Sequence, residues 1–309
     1  MADLVKLAYV FPGQGSQWVG MGRDLCQDFR AAKAVFDQAD EALGFPLSRL
    51  CFDGPEDELR QTVNAQPAIV ATSFACMEAS REAVDLPPAS FVAGHSLGEY
   101  TALVAAGVLD FADAIYLARE RGRLMHEAGQ KVPGGMAAII GLDEAPLSEL
   151  CAESGVRIAN INCPGQIVIS GAEDNLNRAT ELAKSRGAHR AIPLQVSGAF
   201  HTPLMQPAVE GMAKVIAKLE FKDPATPIIG NTTARPLTTA QAVKEELLNQ
   251  LCNCVQWQRS VEYMTGQGIA TFVEIGPGRV LAGLIRRIDR NVKILNIGDA
   301  ESVRNFSAD

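Results

Sequence analysis

The chain lacks any run of about 20 apolar residues, the length needed to span a bilayer as a helix. Its most apolar long stretch, from Thr101 to Ala118, is interrupted by Asp110 and Asp113. A membrane helix is therefore not expected. Net positive charge is also lacking: 28 Lys and Arg face 36 Asp and Glu, for a formal charge of −8. Nucleic acid is a poor partner for such a surface, and an acidic partner would need a local basic patch. The seven cysteines are odd in number and dispersed, and the one close pair, Cys252-x-Cys254, has no histidine cluster beside it. Neither a disulfide framework nor a zinc site is expected, no metal is called for, and a reducing, cytoplasmic compartment fits. Residues Met1 to Lys6 show neither the charge-then-apolar order of a signal peptide nor the Arg/Ser bias of a transit peptide. Repeats and low-complexity segments are absent. Histidine is scarce, with four in 309 residues.

What is present is a sequence able to bury a large core. Apolar residues make up 47% of it, and Gly and Pro are scattered. Strand-like runs at Leu7 to Phe11, Ala89 to Ala93, Thr226 to Ile229, Thr271 to Ile275 and Val292 to Ile297 alternate with helical patterns, one of them over about Trp18 to Phe29. That alternation predicts an α/β fold with a doubly wound parallel sheet. The middle of the chain reads as βαββαβ, the ferredoxin-like order. Its strands are Gly135 to Leu142, Val156 to Ile161, Gln166 to Ser170 and His189 to Leu194, and its helices Pro146 to Glu153 and Glu173 to Arg186. We therefore read residues 129–197 as a small inserted subdomain within a discontinuous larger one, 1–128 and 198–309.

One pentapeptide carries the chemistry. Gly94-His95-Ser96-Leu97-Gly98 follows an apolar strand-like run and opens an apolar helical pattern, Leu97 to Leu109. Strand, tight turn and helix are the setting of a nucleophile elbow, as in α/β hydrolases. The small residues let the chain turn sharply, which leaves the Ser96 hydroxyl exposed and the next N–H groups pointing at it from a helix N-terminus, which favours negative charge. The alternative is an ordinary strand-to-helix turn.

A serine nucleophile needs a base. His95 adjoins the serine and points away from it, His126 ends a helix, and His189 lies beside Arg190. His201 sits in a loop, Ser197 to Pro203, between the two predicted subdomains, where clefts form. By elimination His201 is the base. The loop Pro12-Gly13-Gln14-Gly15-Ser16-Gln17 lacks the Gly-Lys-Ser/Thr ending of a phosphate loop. It is either a plain turn or, through Gln14, a second N–H donor to an oxyanion. On the helix after Asp110, Arg121 falls on one face with Ala114, Leu117, Ala118, Leu124, Met125 and Ala128, while Arg119 and Arg123 fall opposite. A buried arginine requires an anion. Periodicity leaves open whether that anion is an internal carboxylate or a substrate carboxylate held in a bidentate fork.

Taken in order, Phe11 to Gln17, Gly94 to Tyr100, Arg121-Gly122, Asn162-Cys163-Pro164-Gly165-Gln166, Gly198-Ala199-Phe200-His201 and Gly276-Pro277-Gly278 resemble the signatures of malonyl-CoA:acyl carrier protein transacylases. The resemblance extends over nearly the whole chain, to the free-standing enzyme of fatty acid synthesis and also to polyketide synthase acyltransferase domains. It implies an α/β-hydrolase-like large subdomain, Ser96 as nucleophile, His201 as base, and the backbone N–H groups of Gln14 and Leu97 as oxyanion hole. It implies Arg121 as holder of the malonyl carboxylate, with His95, Asn162, Gln166, Phe200 and Asn231 near the substrate. Phe before the histidine goes with malonyl rather than methylmalonyl selection in the polyketide relatives. The base would be oriented by a backbone carbonyl, assigned here to Gln256 in Asn253-Cys254-Val255-Gln256-Trp257, where relatives usually carry Pro at the Cys254 position. The partners implied are a coenzyme A thioester and acyl carrier protein, the enzyme acting as a monomer without a cofactor. A serine hydrolase would share the elbow and base but has no need of Arg121, and a non-catalytic carrier-binding scaffold would need neither Ser96 nor His201. For an acidic carrier the candidate basic patches are Lys184, Arg186 and Arg190, or Arg286, Arg287 and Arg290.

Overall fold

The computed structural model describes residues 6–84 and 86–307. The N-terminal segment before Lys6, read above for targeting signals, lies outside the described residues. Among the described residues ten strands form two sheets. They are β1 (Leu7–Phe11), β2 (Phe91–Gly94), β3 (Gly134–Ile140), β4 (Arg157–Cys163), β5 (Gln166–Ala172), β6 (Arg190–Pro193), β7 (Ile228–Ile229), β8 (Pro236–Leu237), β9 (Thr271–Ile275) and β10 (Lys293–Ile297).

The larger sheet has the order β10-β9-β1-β2-β7-β8, parallel throughout except for the edge strand β8. Every residue of β1 is buried, which explains its unbroken apolar run: a central parallel strand is covered on both faces. The helix Thr62–Ala83 is apolar nearly all round and correspondingly buried. It packs against the helix Phe111–Lys131, which is capped by Asp110 accepting the Asp113 N–H at 2.9 Å.

The second sheet, β4-β5-β3-β6, is antiparallel throughout and comes from residues within 134–193. With the helices Glu144–Ser154 and Glu173–Ser185 it has the predicted βαββαβ order. Its edge strand β4 is tied to the other part of the molecule, because Ile161 N–H donates to Val255 O and Val255 N–H to Ala159 O. A Cβ on Gly129 would stand 2.2 Å from the Ser197 carbonyl oxygen, so the chain enters and leaves this βαββαβ segment at one place.

Two expected helices are shorter in the structure. The helix read over Trp18 to Phe29 begins only at Arg23, because Gly20 and Gly22 hold positive φ (110° and 80°). The pattern from Leu97 to Leu109 is helical only over Gly98–Ala105, and Gly107 turns the chain with φ 72° before the next helix.

β1 and β2 pair in register with Phe11 opposite Gly94, so their carboxyl ends lie side by side. Ligands of open parallel sheets bind at such strand ends. The packing here is tight. A Cβ on Gly98 would stand 2.0 Å from the Phe11 carbonyl oxygen, and one on Gly94 1.9 Å from the Gly98 carbonyl carbon. Gly98→Ala should therefore destabilise the fold by about 3 kcal/mol or more, as backbone atoms cannot step aside cheaply. Gly283→Ala, in the exposed middle of the helix Val280–Ile288 with open space around the new methyl, should be neutral or stabilise by up to about 1 kcal/mol. Urea unfolding of the two variants checks both signs.

Candidate active site

Ser96 occupies the turn between β2 and the helix Gly98–Ala105, with φ 50°. A non-glycine residue in the left-handed region is strained. The surroundings hold it there. Its N–H donates to Asn231 Oδ1 at 2.7 Å, and its carbonyl accepts from Gln250 Nε2 at 2.9 Å. The Pro12–Gly15 loop presses against the turn, since a Cβ on Gly13 would lie 2.4 Å from the His95 carbonyl oxygen.

His201 is also left-handed, with φ 60°, in the loop that returns from the second sheet. Its Nε2 lies 2.9 Å from Ser96 Oγ and its Nδ1 2.7 Å from the backbone carbonyl of Gln250. A carbonyl only accepts, so Nδ1 carries the proton and Nε2 presents its lone pair to the serine hydroxyl. Burial, and then the Arg121 cation nearby, push the imidazole pKa down to about 3, so the ring rests neutral.

The orienting carbonyl is thus Gln250, which corrects the expectation of Gln256. Gln256 stands at the N-terminus of the helix Trp257–Gly266, and its carbonyl is taken by the N–H and hydroxyl of Ser260. Gln250 ends the helix Ala240–Gln250, where the last carbonyls have no partner within the helix. One of these unpaired acceptors is what His201 engages.

Arg121 is 1% exposed. Among the described residues no carboxylate lies within ion-pair distance of it. Neutral oxygens hold it instead: Nη1 donates to Gln66 Oε1 at 2.9 Å, and Nη2 to Gln250 Oε1 at 2.7 Å and Ser96 Oγ at 3.1 Å. Its Nε has no acceptor, and the guanidinium carbon stands 5.4 Å from the centre of the Tyr100 ring. Desolvation lowers its pKa. Of the two alternatives left open by periodicity, a direct internal ion pair is missing among the described residues; Glu99 acts on the guanidinium only from across the Gln250 amide.

Leu97 directly follows the nucleophile and Gln14 directly follows Gly13, which presses on the elbow; neither N–H has an acceptor among the described residues. Gln14 is anchored by its side chain, Nε2 donating to Thr62 Oγ1 at 3.1 Å. His95 turns away from Ser96, as expected, with Nε2 2.8 Å from Asn162 Oδ1 on the edge strand β4 and its ring edge-on to Trp257. Asn231 braces the elbow from the end of β7. Phe200 is buried beside His201, its ring against Gly198. Gln166 is not drawn into this cluster by any hydrogen bond; its Oε1 accepts from Arg287 at 2.7 Å.

Three buried groups in the cluster escaped the sequence reading: Gln66, Gln250 and Glu99. A signal existed for Gln66, the lone amide within the apolar stretch Ala65-Gln66-Pro67-Ala68-Ile69-Val70-Ala71. Ser96, the neutral base His201, Gln250 and a cation with no carboxylate at ion-pair distance among the described residues thus share one hydrogen-bonded network. That constellation suits acyl transfer to and from serine with a substrate bearing a negative charge.

Comparison with known proteins agrees with this geometry. The family model described as the acyl transferase domain matches residues 8–304. The malonyl CoA-acyl carrier protein transacylase of Bacillus subtilis (strain 168) is 47% identical over 303 residues, covering 96% of this chain and 95% of the relative. Its Escherichia coli (strain K12) counterpart is 44% identical over 289 residues, 92% and 93% of the two chains. Among solved structures, the acyl-carrier-protein-S-malonyltransferase of Bartonella henselae superposes with a TM-score of 0.93 at 42% identity, over 96% of this chain and 97% of that one. A malonyl-transacylase in complex with its type II polyketide acyl-carrier protein matches with the same TM-score, identity and coverage. The chain belongs to the acyltransferase family, alongside the malonyl CoA-acyl carrier protein transacylases.

Proposed function

We propose that this enzyme moves a malonyl group from coenzyme A to the phosphopantetheine thiol of an acyl carrier protein through a malonyl-Ser96 intermediate. The observation that carries the reading is the buried, carboxylate-free Arg121 with one hand on Ser96 Oγ. A hydrolase acting on neutral esters has no use for such a cation.

Ser96 Oγ attacks the thioester carbonyl carbon while its proton passes to His201 Nε2. The oxyanion is received by the Leu97 and Gln14 N–H groups, each such donor being worth about 3–4 kcal/mol in related sites. Collapse breaks the C–S bond, and His201 returns the proton to the departing coenzyme A sulfur. The carrier thiol then repeats the sequence in reverse, losing its proton to Nε2 and taking the malonyl group from Ser96. Arg121 binds the malonyl carboxylate in both halves. That bound negative charge also offsets the cation that weakens His201, so the base strengthens when the right substrate is present. The buried Phe200 walls the space beside the substrate's α-carbon and favours malonyl over methylmalonyl. Asn162, on the edge strand β4, lines the approach, with Gln166 farther out at the start of β5. The chemistry calls for no cofactor, and one chain supplies every group, so a monomer suffices. Seven free cysteines accord with a cytoplasmic setting. Among the described residues no helix is long and apolar enough to cross a membrane. Residues 129–197 act as one inserted subdomain whose edge strand β4 closes over the elbow of the larger one.

Incubation with malonyl-CoA followed by intact mass measurement should show a single malonyl adduct that Ser96→Ala abolishes. Holo carrier protein should discharge it far faster than water does. His201→Ala should slow its formation by about 10⁴-fold or more. Rapid discharge to water would make the enzyme a hydrolase.

The two basic clusters differ in how much charge they leave free. Lys184 pairs with Glu181 at 2.6 Å and Arg186 with Glu153, leaving Arg190 exposed. Arg286, Arg287 and Arg290 are all exposed with no carboxylate partner among the described residues, and Arg287 rests on Gln166 and Pro164 O. The second cluster is the better landing site for an acidic carrier. Arg286→Glu with Arg290→Glu should raise the KM for carrier protein about tenfold or more at low salt, with the effect shrinking as salt rises and acylation by malonyl-CoA unchanged. A salt-independent KM would place docking elsewhere.

A further inference from the structure

Glu99 lies at the second position of the elbow helix, 1% exposed, with no cation at ion-pair distance among the described residues. Burial, and the neighbouring Glu246, push its carboxyl well above the ordinary range. Glu246 is itself spent on the Thr232 N–H and hydroxyl. A carboxylate kept in such a place demands an explanation.

Its hydrogen bonds supply one. Oε1 accepts from the Asn231 backbone N–H at 2.9 Å and from Asn231 Nδ2 at 2.8 Å, and Oε2 accepts from Gln250 Nε2 at 2.5 Å. Each amide side chain has one accepting and one donating end. The Asn231 backbone N–H only donates, which fixes Oε1 as an acceptor, and Gln250 Nε2, which also donates to the Ser96 carbonyl, meets Oε2 as a second acceptor, so both amides turn their NH₂ groups toward this carboxyl. Both amide oxygens then face the reactive groups: Asn231 Oδ1 takes the Ser96 N–H, and Gln250 Oε1 takes Arg121 Nη2. The same Gln250 supplies the backbone carbonyl to His201.

We propose that Glu99 is a positioning residue that sets the polarity of Gln250, and through it the place of Arg121. The proposal rests on the malonyl-transfer reading given above. Replacement by glutamine shows why polarity is the point. The Asn231 backbone N–H cannot reverse, so the new amide keeps its oxygen there and turns its NH₂ toward Gln250. Gln250 then meets a donor where it had an acceptor: turning its oxygen to that NH₂ takes its own NH₂ off the Ser96 carbonyl and faces it to Arg121, and shifting away instead moves the oxygen that Arg121 uses. The guanidinium loses its acceptor and moves, and the malonyl carboxylate loses its fork. Acetyl, which has no carboxylate, is affected less.

The test is the single-turnover rate of Ser96 acylation by malonyl-CoA and by acetyl-CoA, read by mass, in wild type, Glu99→Gln and Gln250→Met. Gln250→Met leaves Glu99 and the 250 carbonyl in place but removes the amide between them. Glu99→Gln should narrow the malonyl-over-acetyl preference about tenfold or more, the loss of one charge-assisted hydrogen bond. Gln250→Met should narrow it similarly, and the double variant no further than Gln250→Met alone. Equal losses for both substrates in Glu99→Gln, or an unchanged preference, would overturn the proposal. If Glu99→Gln does not fold, Gln250→Met decides: a wild-type preference there shows that nothing is relayed through this amide. Failure of the wild type to take malonyl at all would instead count against the malonyl-transfer reading and remove the basis of this one.

Discussion

The arrangement of this protein turns on a guanidinium buried with no carboxylate at ion-pair distance among the described residues. Removing an unpaired charge from water costs several kcal/mol even after the surroundings relax. Arg121 meets that cost only in part, through Gln66 and Gln250 oxygens and the face of Tyr100. Neutral acceptors hold the fork in place without neutralising it. The site therefore retains a net attraction for an anion, placed where that anion's acyl carbon would meet Ser96. A carboxylate in place of Gln66 or Gln250 would stabilise the empty protein and compete with the substrate.

The rest of the architecture brings three distant segments to that cation. β1 and β2 end side by side, and the steric demand at Gly94 and Gly98 fixes the elbow so closely that Ser96 adopts a strained φ. The helix ending at Gln250 contributes an unpaired carbonyl to His201 and an amide to Arg121. The edge strand β4, paired with the Val255 segment, brings Asn162 over His95. Base, nucleophile and cation thus all bond to one residue, Gln250: His201 to its backbone carbonyl, and the Ser96 carbonyl and Arg121 to its side-chain amide.

Much of this was legible in the sequence, for identifiable reasons. Glycines at both ends of Gly94-His95-Ser96-Leu97-Gly98 mark a turn with no room for Cβ atoms, and so few histidines left His201 by elimination. Helical periodicity placed Arg121 on the buried face correctly, because Ala114, Leu117, Ala118 and Met125 are buried with it. The βαββαβ order emerged from alternating patterns that match the strand and helix periods. Gln250 was not legible in the same way. Every residue has a carbonyl, so residue type says nothing about which one faces His201; that follows from where a helix stops and how it packs. The glycines at 20 and 22 delayed a helix that composition alone extends to Trp18. Glu99 stood inside the recognised motif, but its role depends on partners 132 and 151 residues away.

The most direct test of the central claim is the rate at which Arg121→Ala is acylated on Ser96 by malonyl-CoA and by acetyl-CoA. The account predicts that malonyl transfer falls by about 100-fold or more, the cost of removing one partner from a buried charge pair, while acetyl transfer changes by less than about tenfold. Equal losses for the two substrates would show that Arg121 serves the fold and not the substrate's carboxylate.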